Sequence, residues 1–167
     1  MQELRREKAA GDVVRTRMIY LLLFLFLVAL DQATKLAVAS YFPLYSTTNI
    51  IDDFLRLTHV KNPGAAFSLS FGNREVMLVV TIVVIALLAY LIIRGTIRPK
   101  SLTGKIALVM IFGGAVGNLI DRIRMEEVTD FIDMGIGVHR WPVYNLADTY
   151  VTVGMIILFL IYSLNKE

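Results

Sequence analysis

The chain has 167 residues, 56% of them hydrophobic and 19% charged. Soluble domains carry roughly 45–50% apolar and about 25% charged residues, so this composition is shifted away from a water-soluble domain and towards lipid. The net charge of +3 is modest and no nucleic-acid partner is expected; with no cysteine and with His59 and His139 far apart, disulfides, thiolate chemistry, a metal site and other cofactors are not expected either.

In chain order, residues 1–17 hold five basic residues against three acids and read as a cytoplasmic N-terminal segment. An apolar run predicts a first helix over 18–39, interrupted by Asp31, Gln32, Thr34 and Lys35. Basic residues before that run and "AVAS" after it imitate a cleavable signal peptide, but Asp31 and Lys35 fall where the cleavage region would be, so an anchored helix is the expectation. Asp31 and Lys35 stand four apart, a spacing that permits a neutralising ion pair on one helix face.

Residues 40–75 balance three basic residues against three acids and include "FLRLTHVKNPGAAFSLSF". The partial alternation, broken at Asn62-Pro63-Gly64, predicts a small sheet lying on the membrane surface, although Asn62 and Gly64 also suit an ordinary turn. A second helix is predicted over 76–93. About 20 predominantly apolar residues cross a bilayer core, and this run qualifies almost unbroken. Residues 94–105 then hold four basic residues and no acid.

A third helix is predicted over 105–123. Gly113 and Gly117, with Gly114 beside them, permit close approach of a neighbouring helix. At its far end Asn118, Asp121 and Arg122 share one face. Residues 121–147 carry three basic and five acidic residues. Pro142 marks a boundary before a fourth helix over 147–163, where Asn145 and Asp148 fit an N-cap followed by an acid in the first turn. Residues 164–167 form a short tail containing Lys166.

The expected fold is therefore an all-α membrane protein with four transmembrane helices and a small extracytoplasmic β-rich loop region. Basic residues concentrate in cytoplasmic segments, which puts both termini and the 94–105 loop in the cytoplasm. Asn118, Asp121, Arg122, Asp130, Asn145 and Asp148 then gather at the outer face. Polar groups near hydrocarbon are costly and need a partner or a task. Two carboxylates brought together share a proton, so one can activate water while the other donates to a carbonyl oxygen. A two-aspartate hydrolase fits that pattern. A small proton-coupled transporter using the acids as a relay, and a non-catalytic scaffold whose acids only cap helices, are the alternatives.

"DQATK" (31–35), "VKNPGAAFS" (60–68), "GNLIDR" (117–122), "VTDFI" (128–132) and "YNLAD" (144–148) together resemble the lipoprotein signal peptidases, or signal peptidase II. The resemblance runs in order along nearly the whole chain after residue 17. It implies a multi-pass aspartic endopeptidase of the bacterial inner membrane that releases signal peptides from diacylglyceryl-modified prolipoproteins, cutting on the amino side of the lipidated cysteine. Its partners would be that substrate and membrane lipid, with the enzyme working as a monomer. Carried over by position, Asp130 and Asp148 are the catalytic pair, supported by Asn118, Asp121, Arg122 and Asn145. Asp31, Lys35, Asn62 and Gly64 would shape the pocket and hold the surface segment. Asp133 is set aside, because the family pattern selects Asp130. One departure stands out: the family usually has glycine where this chain has Glu126, which has less backbone freedom and adds charge at the rim.

Overall fold

The computed structural model describes residues 1–66, 69–70 and 74–165. Phe67 and Ser68 of the 60–68 motif, and Lys166 of the tail, lie outside the described residues.

Four helices organise the chain: α1 (Gln2–Tyr41), α2 (Arg74–Ile93), α3 (Leu102–Met125) and α4 (Leu146–Asn165). Each contains a stretch long and apolar enough to cross a membrane, namely Gly11–Tyr41, Glu75–Ile93, Leu102–Met125 and Leu146–Leu164. The outward faces of these stretches are aliphatic and aromatic, as with Leu22, Phe26, Val79, Val83 and Phe159. In water such surfaces would aggregate, whereas in a bilayer they are solvated.

The bundle closes around α3, which packs against α1, α2 and α4. Small residues make that possible. A Cβ on Gly114 would overlap the Ala147 carbonyl of α4, and one on Gly117 would stand 2.5 Å from an Asp31 carboxylate oxygen of α1. The α3 glycines therefore serve two neighbours, on two faces of one helix. Helix α2 is different. Among the described residues none of its side chains is buried, and its principal helix contact is α3.

The expectation of an all-α fold is corrected by the strands. β1 (Thr47–Ile51), β2 (Leu55–Asn62), β5 (Val128–Ile136) and β6 (His139–Arg140) form an antiparallel sheet in the order β1-β2-β5-β6, and β3 (Ala65–Ala66) pairs with β4 (Leu69–Ser70). The sheet is not confined to 40–75, because half of it comes from the segment between α3 and α4. Strand β5 is hard to read from sequence, since Val128–Phe131 are all buried and no apolar–polar alternation results. Arg140 closes the far end of the sheet, donating from Nε to Asp133 at 2.6 Å.

Two local devices aim this sheet at the bundle. Glu126, the C-cap of α3, adopts the left-handed conformation at φ 61° and ψ −4°, turning the chain directly into β5. Ahead of α4, Tyr144 pairs with β5: its N–H donates to Ile132 O at 3.0 Å, and its carbonyl accepts from Ile132 N at 2.7 Å. The start of α4 is thereby fixed beside Asp130.

Candidate active site

The site begins with a buried ion cluster. Lys35 Nζ lies 2.8 Å from Asp31 Oδ2 and 3.2 Å from Asp121 Oδ2, and donates to Asn118 Oδ1 at 2.9 Å. Lys35, Asp31 and Asp121 are only 3%, 0% and 1% exposed. Charges so buried persist only when paired and hydrogen-bonded, and here each is. Asp31 Oδ1 accepts from Ala147 N at 3.0 Å, and Asp121 Oδ2 from Thr129 N at 3.2 Å. Gln32 Nε2 donates to Asp121 Oδ1 at 2.8 Å and to Gly117 O at 3.1 Å. The i, i+4 pair read from sequence is thus a four-element junction linking α1, α3, β5 and α4.

Asn118 passes that order on. Its Oδ1 accepts from Lys35 and from Asn145 Nδ2 at 3.1 Å, which leaves its Nδ2 to donate to Asp148 Oδ1 at 2.8 Å. Asp148 also completes a reciprocal cap: Asn145 N donates to Asp148 Oδ2 at 3.2 Å, and Asp148 N donates to Asn145 Oδ1 at 3.0 Å. This is a capping box with asparagine at the N-cap and aspartate at the third helical position. The capping role is real, yet it leaves Asp148 half-buried with a carboxylate face still available.

Asp130 comes from β5. Val60 is its partner across the ladder, so Asn62, two residues on, shares its face as a diagonal neighbour. Asn62 Nδ2 donates to Asp130 Oδ2 at 2.8 Å, and Gly64 N donates to Asn62 Oδ1 at 2.9 Å, which orients the Asn62 amide. Gly64, at φ 117°, has a backbone conformation that suits glycine, and a Cβ there would strike Met77 of α2. On the other side, Asn145 Nδ2 donates to Asp130 Oδ1 at 2.6 Å. Asn145, fully buried, therefore holds both acids, Asp148 by its backbone and Asp130 by its side chain.

Electrostatics separates the two. Burial, reinforced by the nearby charge of Asp148, pushes the Asp130 carboxyl up to about 7, even though Asn62, Asn145 and Lys35 pull the other way. Arg122 lies within electrostatic reach of Asp148, Asp130 and Asp121, and among the described residues it pairs with none of them. Asp133 faces away: three residues along a strand reverses the side-chain direction, and it accepts from Thr58 Oγ1 at 2.8 Å and from Arg140. His59 is buried against the Phe42 carbonyl, and His139 stands in β6.

A groove of about 260 Å³ runs up to Asp148 between α2, α3 and α4, with Asp130 buried behind it. Val80, Val84, Ala115 and Val151 make it apolar, while Asn118, Arg122 and Asp148 line its polar part. All ten site residues expected from sequence thus fall into one region, with Arg122 at the groove and the rest in the network around it. Sequence reasoning assigned no role to Gln32 or Thr129. Gln32 had a signal, as an amide inside an apolar run; Thr129 had none, because it acts mainly through its backbone.

Residues 23–164 match the family model described as Signal peptidase (SPase) II. The chain belongs to that family. It is 41% identical over 142 residues to the lipoprotein signal peptidase of Geobacillus thermodenitrificans, covering 85% of this chain and 88% of that one. To the lipoprotein signal peptidase of Syntrophus aciditrophicus it is 39% identical over 143 residues, covering 83% and 86%. Among solved structures it is similar to a bacterial membrane enzyme determined by the in meso method at 2.3 Å resolution, with a TM-score of 0.76, 33% identity and coverage of 89% and 92%. A second such structure, at 1.9 Å, gives a TM-score of 0.73 at 33% identity. The protein is thus a multi-pass bacterial membrane protein and an aspartic peptidase by family. The transporter reading finds no support in these likenesses.

Proposed function

We propose that the protein removes signal peptides from diacylglyceryl-modified prolipoproteins, cutting on the amino side of the lipidated cysteine, with Asp130 and Asp148 as the catalytic pair. The observation that carries this reading is Asn145, which hydrogen-bonds both carboxylates, Asp148 among them lining the polar part of an apolar groove.

Asp130 carries a proton below pH about 7 and donates it to the carbonyl oxygen of the scissile bond. Asp148, at a helix N-terminus and accepting from Asn118 and from Asn145 N, takes a proton from the attacking water. As the tetrahedral intermediate collapses, Asp148 passes that proton to the leaving amine and Asp130 recovers its own. Arg122 supplies positive charge near the pair and orients the substrate backbone. The groove beside α2 lets the apolar signal helix and the acyl chains stay in lipid while the bond reaches Asp148 at the groove's polar part.

The same reading sets the orientation: both termini and residues 94–105 in the cytoplasm, the sheet and the aspartates at the outer face of the inner membrane. The enzyme works as a monomer and takes membrane lipid, not nucleic acid, as its surroundings. The test is cleavage of a lipidated prolipoprotein by the purified protein in detergent, followed by mass spectrometry of the released peptide. Asp130→Asn and Asp148→Asn should each slow cleavage on the order of 10²–10⁴-fold. Near wild-type cleavage by either variant refutes the pair. A scaffold would show no cleavage at all, and Asp148→Ala would then cost only about 1 kcal/mol of stability as a lost capping interaction.

A further inference from the structure

We infer that the end of the bundle opposite the aspartates carries a binding site for the headgroup of an anionic phospholipid. The site is a cavity of about 440 Å³ where α1, α3 and the turn after α2 meet. Lys105 lies sixteen residues before Asp121 on α3, which at 1.5 Å per residue puts the cavity about 24 Å from the catalytic end.

The turn that builds it is well defined. Thr96 N and Ile97 N both donate to Leu91 O, at 2.9 and 3.2 Å, so the chain folds back over the end of α2. Arg98 N donates to Tyr162 OH of α4 at 3.0 Å, which fixes the backbone and leaves the guanidinium unused. Arg98 and Lys105 line the cavity and are exposed, and neither side chain has a hydrogen-bond or ion-pair partner among the described residues. Residues 94–105 contain four basic residues and no acid.

The rest of the lining identifies the anion. Ile92, Leu108 and Val109 form apolar walls and Tyr20 adds an amphipathic ring. Tyr20 and Ile92 belong to membrane-crossing stretches, so the cavity lies where hydrocarbon gives way to headgroups. A free phosphate would use the two cations and waste the walls. A phospholipid uses both, with its phosphodiester between the Arg98 fork and Lys105 and its glycerol against the aliphatic side chains. This inference stands apart from the peptidase reading and would hold if the catalytic pair were wrong.

The experiment is native mass spectrometry of the full chain in neutral detergent, offered mixed micelles of dioleoylphosphatidylglycerol or dioleoylphosphatidylcholine. The wild type should retain one phosphatidylglycerol with a preference on the order of tenfold or more over phosphatidylcholine, as two juxtamembrane cations would provide. R98Q/K105Q should lose that preference, whereas R94Q/K100Q, which removes the same charge outside the cavity, should keep it. Leu108→Trp fills the cavity without touching the cations and should also lose the lipid; it decides the matter if R98Q/K105Q does not fold. An equal loss in R94Q/K100Q reduces the effect to diffuse surface charge and overturns the site. Wild-type binding without headgroup preference, or displacement of the lipid by millimolar inorganic phosphate, overturns it as well.

Discussion

Raising the pH from about 4 to about 8 should weaken the fold through a single carboxyl, Asp130. Its folded-state value is about 7 against 3.8 for a free aspartate. Below pH about 4 the group is protonated whether the chain is folded or not, and it contributes nothing. Between about 4 and about 7 the unfolded chain releases the proton while the folded chain keeps it, so stability falls as pH rises. Above about 7 the loss is complete. At 1.36 kcal/mol per pH unit the full penalty is about 4 kcal/mol. In a chain of this size that corresponds to a drop in melting temperature on the order of 10 °C. The assay is thermal unfolding in detergent across this range for wild type, Asp130→Asn and Asp148→Asn. Asp130→Asn has no such proton to release, so its curve should lack the falling component. Asp148→Asn removes the second-largest cause of the shift and should move the falling limb to lower pH. Parallel wild-type and Asp130→Asn curves would refute the reasoning. On the proposed mechanism the same proton is donated to the scissile carbonyl, so kcat/KM should also decline above pH about 7.

Four further outcomes are expected. Lys35→Met leaves Asp31 and Asp121 buried without their cation and should cost about 3–5 kcal/mol, measured by denaturant unfolding. Asn145→Ala removes the helix cap and the link between the acids; it should lower kcat on the order of 10²-fold or more while costing only about 1–2 kcal/mol of stability, so cleavage and unfolding assays together separate the two effects. Gly114→Ala forces α3 away from the Ala147 carbonyl and should lower stability by about 1–3 kcal/mol, with a parallel fall in cleavage because Asp148 is the next residue. Glu126→Gly relieves a left-handed residue and should raise stability by up to about 1 kcal/mol, read as a small rise in melting temperature.

The helices are legible in the sequence because lipid demands long apolar runs, and the interruptions at Asp31, Lys35, Asn118 and Asp148 mark where the site gathers. Asp130 is separable from Asp133 by the family pattern, and the strand period supplies the physical reason. The sheet is only half legible. Residues 55–62 alternate in part, but β5 is buried on both faces at its start and reads as neither strand nor helix. Glu126 shows the opposite failure: its smaller backbone freedom in place of the family's glycine suggests an altered turn, yet the backbone adopts the left-handed cap that glycine would favour and the path into β5 is kept. Which acid Lys35 serves, and that Asn118 relays its position to Asp148, are facts of tertiary packing that no spacing within one helix contains.

Helix α2 leans on α3 and buries no side chain among the described residues. Moving it outward by a few ångströms would disturb little of the interior, since lipid would fill the space it left. On the proposed reading, a wall so cheaply displaced would admit leader sequences of unequal bulk opposite the hydrogen-bonded acids and amides on the other side of the cleft.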